Sequence, residues 1–138
     1  MIVYLDSSVV LRVLLRQGEP LDSWGEWEAA YSSEILGLEA RRTLDRLRLD
    51  GALDDQGVAE AHGELARMER SVGQIDLTPL VLRRAAMPMA TVVRTLDAIH
   101  IASALLLQER TAGIIIFATH DAQQATGARA LGFDCIGV

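Results

Sequence analysis

Five consecutive apolar residues, Ile114-Ile115-Ile116-Phe117-Ala118, lie between Gly113 and the polar segment Thr119-His120-Asp121. A run this short, rich in β-branched residues and without helical period, has both faces apolar. A strand of that kind must be covered on both sides, as in a parallel sheet between two layers of helices. Ile2-Val3-Tyr4-Leu5, stopping at Asp6, has the same character.

The rest of the chain alternates with these runs. Ser7 and Ser8 offer an N-cap for a helix over Val9 to Leu15, and Gly18-Glu19-Pro20 makes a turn. Ser23-Trp24-Gly25-Glu26 has capping-box spacing and predicts a second helix. Ala30 to Ser33 reads as a short strand or edge segment, followed by an amphipathic helix from about Leu36 to Leu49 that Gly51 ends. Asp54 or Asp55 opens a helix to about Arg70, and Val72 to Leu77 is a weak strand. Thr78-Pro79 starts a short helix that Pro88 breaks. Thr95-Leu96-Asp97 leads into a strongly apolar helix reaching Gln108 or Glu109. A helix from Asp121 to Ala130 ends at Gly132, and Phe133 to Val138 forms a last strand. Strands separated by helices imply an α/β domain with a mainly parallel sheet and right-handed crossovers.

With 138 residues, half of them hydrophobic, and no linker or repeat, the chain suits one domain, 1–138. Thirteen basic against nineteen acidic residues give a formal charge of −6, which argues against the usual cationic face for nucleic acid. Carboxylates neutralised by metal ions would still meet phosphate, so the placement of the acids decides. All the basic residues other than His are Arg, and the absence of Lys excludes Schiff-base and P-loop chemistry. Cys135 stands alone, which suits a reducing cytoplasm and a small core residue. The apolar N-terminus is interrupted by Asp6 and Arg12 and lacks a basic lead, so it reads as structure and not as a signal peptide; no stretch is long enough to predict a membrane span.

In open α/β sheets the functional crevice lies outside the carboxyl ends of the strands. Asp6 and Asp121 fall at two such ends, Asp97 opens an otherwise apolar helix, and Glu39 lies near the start of another. Each has an ordinary explanation. Asp6, Asp97 and Asp121 suit helix caps or turns, and Glu39 suits a solvated pair with Arg42 or Thr43. Four like charges in one crevice would repel and raise one another's pKa, so their convergence points to bound cations.

These residues resemble the PIN domains, in particular the small VapC-type toxins of bacterial toxin–antitoxin pairs. The resemblance covers essentially the whole chain and rests on Val3-Tyr4-Leu5-Asp6-Ser7-Ser8, Glu39, Leu96-Asp97-Ala98-Ile99-His100-Ile101-Ala102 and Ala118-Thr119-His120-Asp121. It implies a three-layer α/β/α fold and a metal-dependent endoribonuclease whose acids, Asp6, Glu39, Asp97 and Asp121, hold one or two Mg²⁺ or Mn²⁺ ions. Oxygen donors suit such ions. It further implies in-line hydrolysis of RNA to a 5′-phosphate and a 3′-hydroxyl, a homodimer, and neutralisation by a small DNA-binding antitoxin. Ser7 and Thr119 match positions where the family has small hydroxyl residues that support the ligands.

Other residues carry two readings each. His100, three positions after Asp97, contacts metal or phosphate, or else bonds beside the acids as a helix histidine, the favoured choice since hard cations prefer oxygen. Arg42 and Arg46 present guanidinium groups beyond Glu39, for RNA phosphate or for salt bridges; Arg94 is equally open. Trp24 and Trp27 stack bases or, as their apolar neighbours suggest, pack or dock a partner. His120 reads as a loop residue and His62 as solvated surface. The competing functions are a non-catalytic PIN-fold module that binds RNA or protein, a housekeeping PIN nuclease without antitoxin, and a Mg²⁺-dependent phosphatase or phosphoacceptor. The last class wants a Lys, and its dehalogenase-like branch wants Asp-X-Asp where this chain has Asp6-Ser7-Ser8.

Overall fold

The computed structural model describes all 138 residues. Five strands, β1 (Ile2–Leu5), β2 (Ala29–Ser33), β3 (Gly73–Ile75), β4 (Ile115–Ala118) and β5 (Asp134–Ile136), form one sheet in the order β3-β2-β1-β4-β5. Every pairing is parallel. Six helices connect them: α1 (Ser7–Leu15), α2 (Ile35–Leu49), α3 (Asp55–Ser71), α4 (Pro79–Ala85), α5 (Thr95–Arg110) and α6 (Ala122–Ala130). This is the expected three-layer α/β/α arrangement, with an all-parallel sheet.

Alternation along β1 explains the layers. Val3 and Leu5 pack with Val9 and Val10 of α1 and Leu36 of α2 on one face, while Tyr4 turns to the other with Phe117, Ile101 of α5 and Ala128 of α6. All three β1 residues are essentially inaccessible, as both-sided cover requires. Tyr4 and Phe117 stack at 5.3 Å, adding an oriented aromatic contact to that layer. Leu14, Leu44 and Leu65 tie α1, α2 and α3 together, and Val81 with Ile99 and Leu106 ties α4 to α5. No helix is long and apolar enough to cross a membrane.

Three local expectations change. The predicted helix at Ser23–Glu26 is a turn: Gly25 takes φ +82°, and Glu26 N–H bonds back to Ser23 O at 3.0 Å. Trp24 and Trp27 then meet edge-to-face at 5.1 Å and pack against the core, the packing alternative. The N-cap of α1 is Asp6, whose Oδ2 accepts from Ser8 N–H at 3.0 Å, and Ser7 and Ser8 are its first helical residues. The edge strands β3 and β5 are shorter than the segments expected for them, Val72 to Leu77 and Phe133 to Val138. Ile114, at the start of the longest run, stays 74% exposed outside β4.

Candidate metal centre

The strand order fixes where a site belongs. Connections from β1 run outward to β2 and β3 on one side, while β4 and β5 occupy the other, so the order reverses between β1 and β4. Crevices open at such a switch point, beyond the carboxyl ends of the strands. Leu5 pairs with Ala118, and Asp6 N–H bonds to Ala118 O at 2.9 Å, so Asp6 and the Thr119-His120-Asp121 turn emerge side by side.

Asp6 is held from two sides. Its Oδ2 caps α1, and its Oδ1 accepts from Gln124 Nε2 at 3.1 Å. Gln124 is inaccessible to solvent, and its Oε1 accepts the Thr119 hydroxyl at 2.7 Å. With its one proton given to Gln124, the Thr119 oxygen accepts from Asp121 N–H at 3.0 Å. Asp121 caps α6, its Oδ1 accepting from Gln123 and Gln124 N–H. Asp6 and Asp121 are therefore helix caps, as the ordinary reading has it, and both also face one crevice.

Glu39, 61 residues away in sequence from His100, meets it in space: His100 Nε2 lies 2.6 Å from Glu39 Oε1 and 3.6 Å from Asp6 Oδ1. Ser7 Oγ donates to the other Glu39 oxygen at 3.3 Å. On the far side of the ring, Nδ1 lies 2.7 Å from the Tyr4 hydroxyl, which accepts from Ser33 N–H. Burial opposes charging His100, yet the Glu39 hydrogen bond and the charges of Asp6, Glu39 and Asp97 together hold its pKa above the ordinary 6.5. The same surroundings push the Tyr4 hydroxyl up, chiefly by burial and then by Asp6.

Asp97 and Asp121 are joined by Arg94. Its Nε donates to Asp97 at 3.1 Å and its Nη2 to Asp121. Burial raises the Asp97 pKa, with the charges of Asp6 and Asp121 adding to it, and Arg94 only partly offsets them. The four carboxylates thus form one electrostatic group.

A family model for the PIN domain matches residues 3–129. The chain belongs to the PIN domain family. A search of curated proteins returned no match. PIN domains are a nuclease-type fold and generally metal-dependent, and this PIN domain's donors fit a hard divalent ion: four carboxylates, with the one Cys elsewhere in β5. As the side chains stand, no three His, Cys, Asp or Glu groups are arranged to hold an ion. The chain's own donors explain this, since Arg94 spans Asp97 and Asp121 while His100 engages Glu39.

The PIN crevice gathers Asp6, Glu39, Asp97 and Asp121 together with Ser7, Thr119 and His100. It does not gather Arg42, which is 69% exposed and paired with Asp45 at 3.2 Å, the salt-bridge alternative. Arg46 faces a groove that reaches Asp121. His120 lies in the turn after β4, and His62 is exposed on α3. Gln124 escaped the sequence reading, although Asp121-Ala122-Gln123-Gln124 has capping-box spacing; its side chain turns away from the cap to Asp6. Tyr4, read only as a strand residue, left no polar signal, because alternation says which face it takes and not what its hydroxyl meets.

Proposed function

We propose that this PIN domain is an endoribonuclease dependent on Mg²⁺ or Mn²⁺, cutting RNA to leave a 5′-phosphate and a 3′-hydroxyl, and that it is the toxin of a toxin–antitoxin pair. The observation that carries the reading is the meeting of four carboxylates at the β1/β4 switch point, with the Asp97 pKa raised by burial and then by the charges of Asp6 and Asp121. Asp6, Glu39, Asp97 and Asp121 would hold the ion. When bound, a divalent ion supplies charge neutralisation at phosphorus and activation of water for in-line attack.

The chain's own residues then have distinct tasks. Gln124 and the α1 amide fix both Asp6 oxygens, so that carboxylate would meet an ion in one orientation. Glu39 Oε1 and His100 Nε2 are hydrogen-bonded across 2.6 Å, so His100 orients the Glu39 carboxylate toward the crevice. Ser7 holds the remaining Glu39 oxygen. The test is incubation with total RNA and Mn²⁺ or Mg²⁺, beside EDTA and Asp97→Asn samples. Cleavage is expected only with metal and the native carboxylate; undiminished cleavage in both controls would overturn the mechanism.

The toxin role rests on the resemblance and on a surface suited to a partner. An apolar groove of about 510 Å³ between α4 and the start of α5 is lined by Leu82, Met87, Val92 and Ile99, directly beside Asp97. Leu82, Met87 and Val92 are exposed there. Homodimer formation would cover such a face, and sedimentation that finds only monomer would reject the dimer. Co-expression with a small adjacent reading frame encoding a DNA-binding protein should give a complex with suppressed cleavage; a cognate partner that leaves cleavage intact would remove the toxin assignment.

A further inference from the structure

Helix α2 carries four arginines, and three are ion-paired: Arg41 with Glu69, and Arg42 and Arg48 with the one carboxylate of Asp45. The fourth, Arg46, has no carboxylate within ion-pair distance. It lines a groove of about 580 Å³ between α1 and α2 together with Ser8, Arg12, Thr43, His120 and Asp121. Arg12, from α1, is likewise without an acidic partner, and its stem runs beside the left-handed turn at Gly18. Two free guanidinium groups therefore face one concavity whose far wall is an acid of the metal centre.

A further observation lies at the same place. His120 Nδ1 lies 2.8 Å from Gly137 O, which can only accept, so Nδ1 carries the proton. Nε2 is buried and has no partner. A groove of this size matches small-molecule sites of roughly 300–1,000 Å³.

We propose that Arg12 and Arg46 form a second phosphate subsite, which holds the backbone of single-stranded RNA beside the scissile phosphate and sets the direction in which the strand crosses the acids. This rests on the ribonuclease reading above and deepens it. It also bears on the charge objection raised by the composition: the chain is acidic overall, but two arginines without an acidic partner, Arg12 and Arg46, line one groove beside Asp121. Guanidinium forks suit phosphate oxygens, and each contact releases counterions from the strand.

The test is binding of a labelled single-stranded RNA oligonucleotide in EDTA, followed by anisotropy over a salt series. Wild type is compared with the Arg12→Gln/Arg46→Gln double variant, its Lys counterpart, and Arg42→Gln. The double Gln variant should bind about tenfold more weakly, and the slope of log K against log salt should shrink by about 1.4, near 0.7 for each lost phosphate contact. The Lys variant should keep the slope, and Arg42→Gln should match wild type. An unchanged slope in the double Gln variant, in a protein that binds and cuts RNA, overturns the subsite and leaves the nuclease standing. Failure of wild type to bind or cut RNA removes both. Preferential capture of an acidic peptide, lost in the double variant, would give the groove to a protein partner and also overturn the proposal.

Discussion

Asp6 and Glu39 stand over an imidazole with no solvent exposure, whereas Asp97 and Asp121 share a guanidinium that is 66% exposed. On the inner side every polar atom is tied into the fold: Tyr4 to Ser33, His100 to Tyr4 and Glu39, Gln124 to Asp6 and Thr119. On the outer side one long flexible side chain does the joining. The difference teaches that the crevice combines a fixed floor with an adjustable rim. A floor of this kind sets geometry before any ligand arrives, and a rim held by an exposed Arg is able to exchange its cation for another.

The comparison breaks most sharply at His100. His100→Ala leaves a cavity, the Tyr4 hydroxyl and Glu39 without their shared partner, and should cost about 3–5 kcal/mol in urea unfolding. A loss below about 1 kcal/mol would mean that the floor is not the rigid half. Gln124→Leu keeps the volume but removes the donor to Asp6 Oδ1 and the nearest acceptor of the Thr119 hydroxyl, which is left with Asp6 Oδ2 at 3.4 Å and Ser8 Oγ at 3.3 Å. The expected destabilisation is about 1–3 kcal/mol, read by the same method, with weakened Mn²⁺ binding in calorimetry.

A pH series addresses the floor without mutation. The pKa values of His100 and Asp97 are raised from 6.5 and 3.8, so each binds its proton more readily folded than unfolded. Their stabilisation is complete below those ordinary values and is lost as pH rises through the folded ones. In EDTA, melting temperature should therefore decline as pH climbs from about 6 toward 9. His100→Gln should flatten the upper part of that decline, and a profile that rises over the same window would contradict the signs. The smallest effect on stability belongs to the rim. Arg94→Gln should leave the melting temperature within error while Mn²⁺ binds roughly three- to tenfold more tightly, because a competing cation has gone. Weaker Mn²⁺ binding would show that Arg94 assists the ion and does not stand in for it.

Much of this arrangement was legible before any coordinates. Asp6 announces itself because it directly follows an apolar run, Asp121 because it closes the short polar segment after one, and Asp97 because it interrupts one. The α/β class follows from alternation of periods. Strand order does not, since periodicity identifies elements and says nothing of which neighbours they choose. The Ser23–Glu26 segment misled because capping-box spacing is satisfied by a turn as well, and Gly25 at positive φ decides against a helix. Long-range polar pairs were invisible for a similar reason: Gln124 reaches across 118 residues to Asp6, and no local pattern encodes such a contact.

Strand β1 has a neighbour on both edges and lies at the middle of the sheet. Its amides should be among the last to exchange with deuterium, opening only when the whole domain does. Tyr4 and the backbone leading to Asp6 belong to that strand, so the floor of the crevice and the slowest-exchanging unit are the same stretch of chain. A sequence drifting under selection then has little freedom there, because a change that alters chemistry also alters survival of the fold. Diversity among relatives in substrate choice is expected instead on the exposed faces of α1 and α2 and at the Arg94 approach, where side chains can be exchanged without unpicking β1.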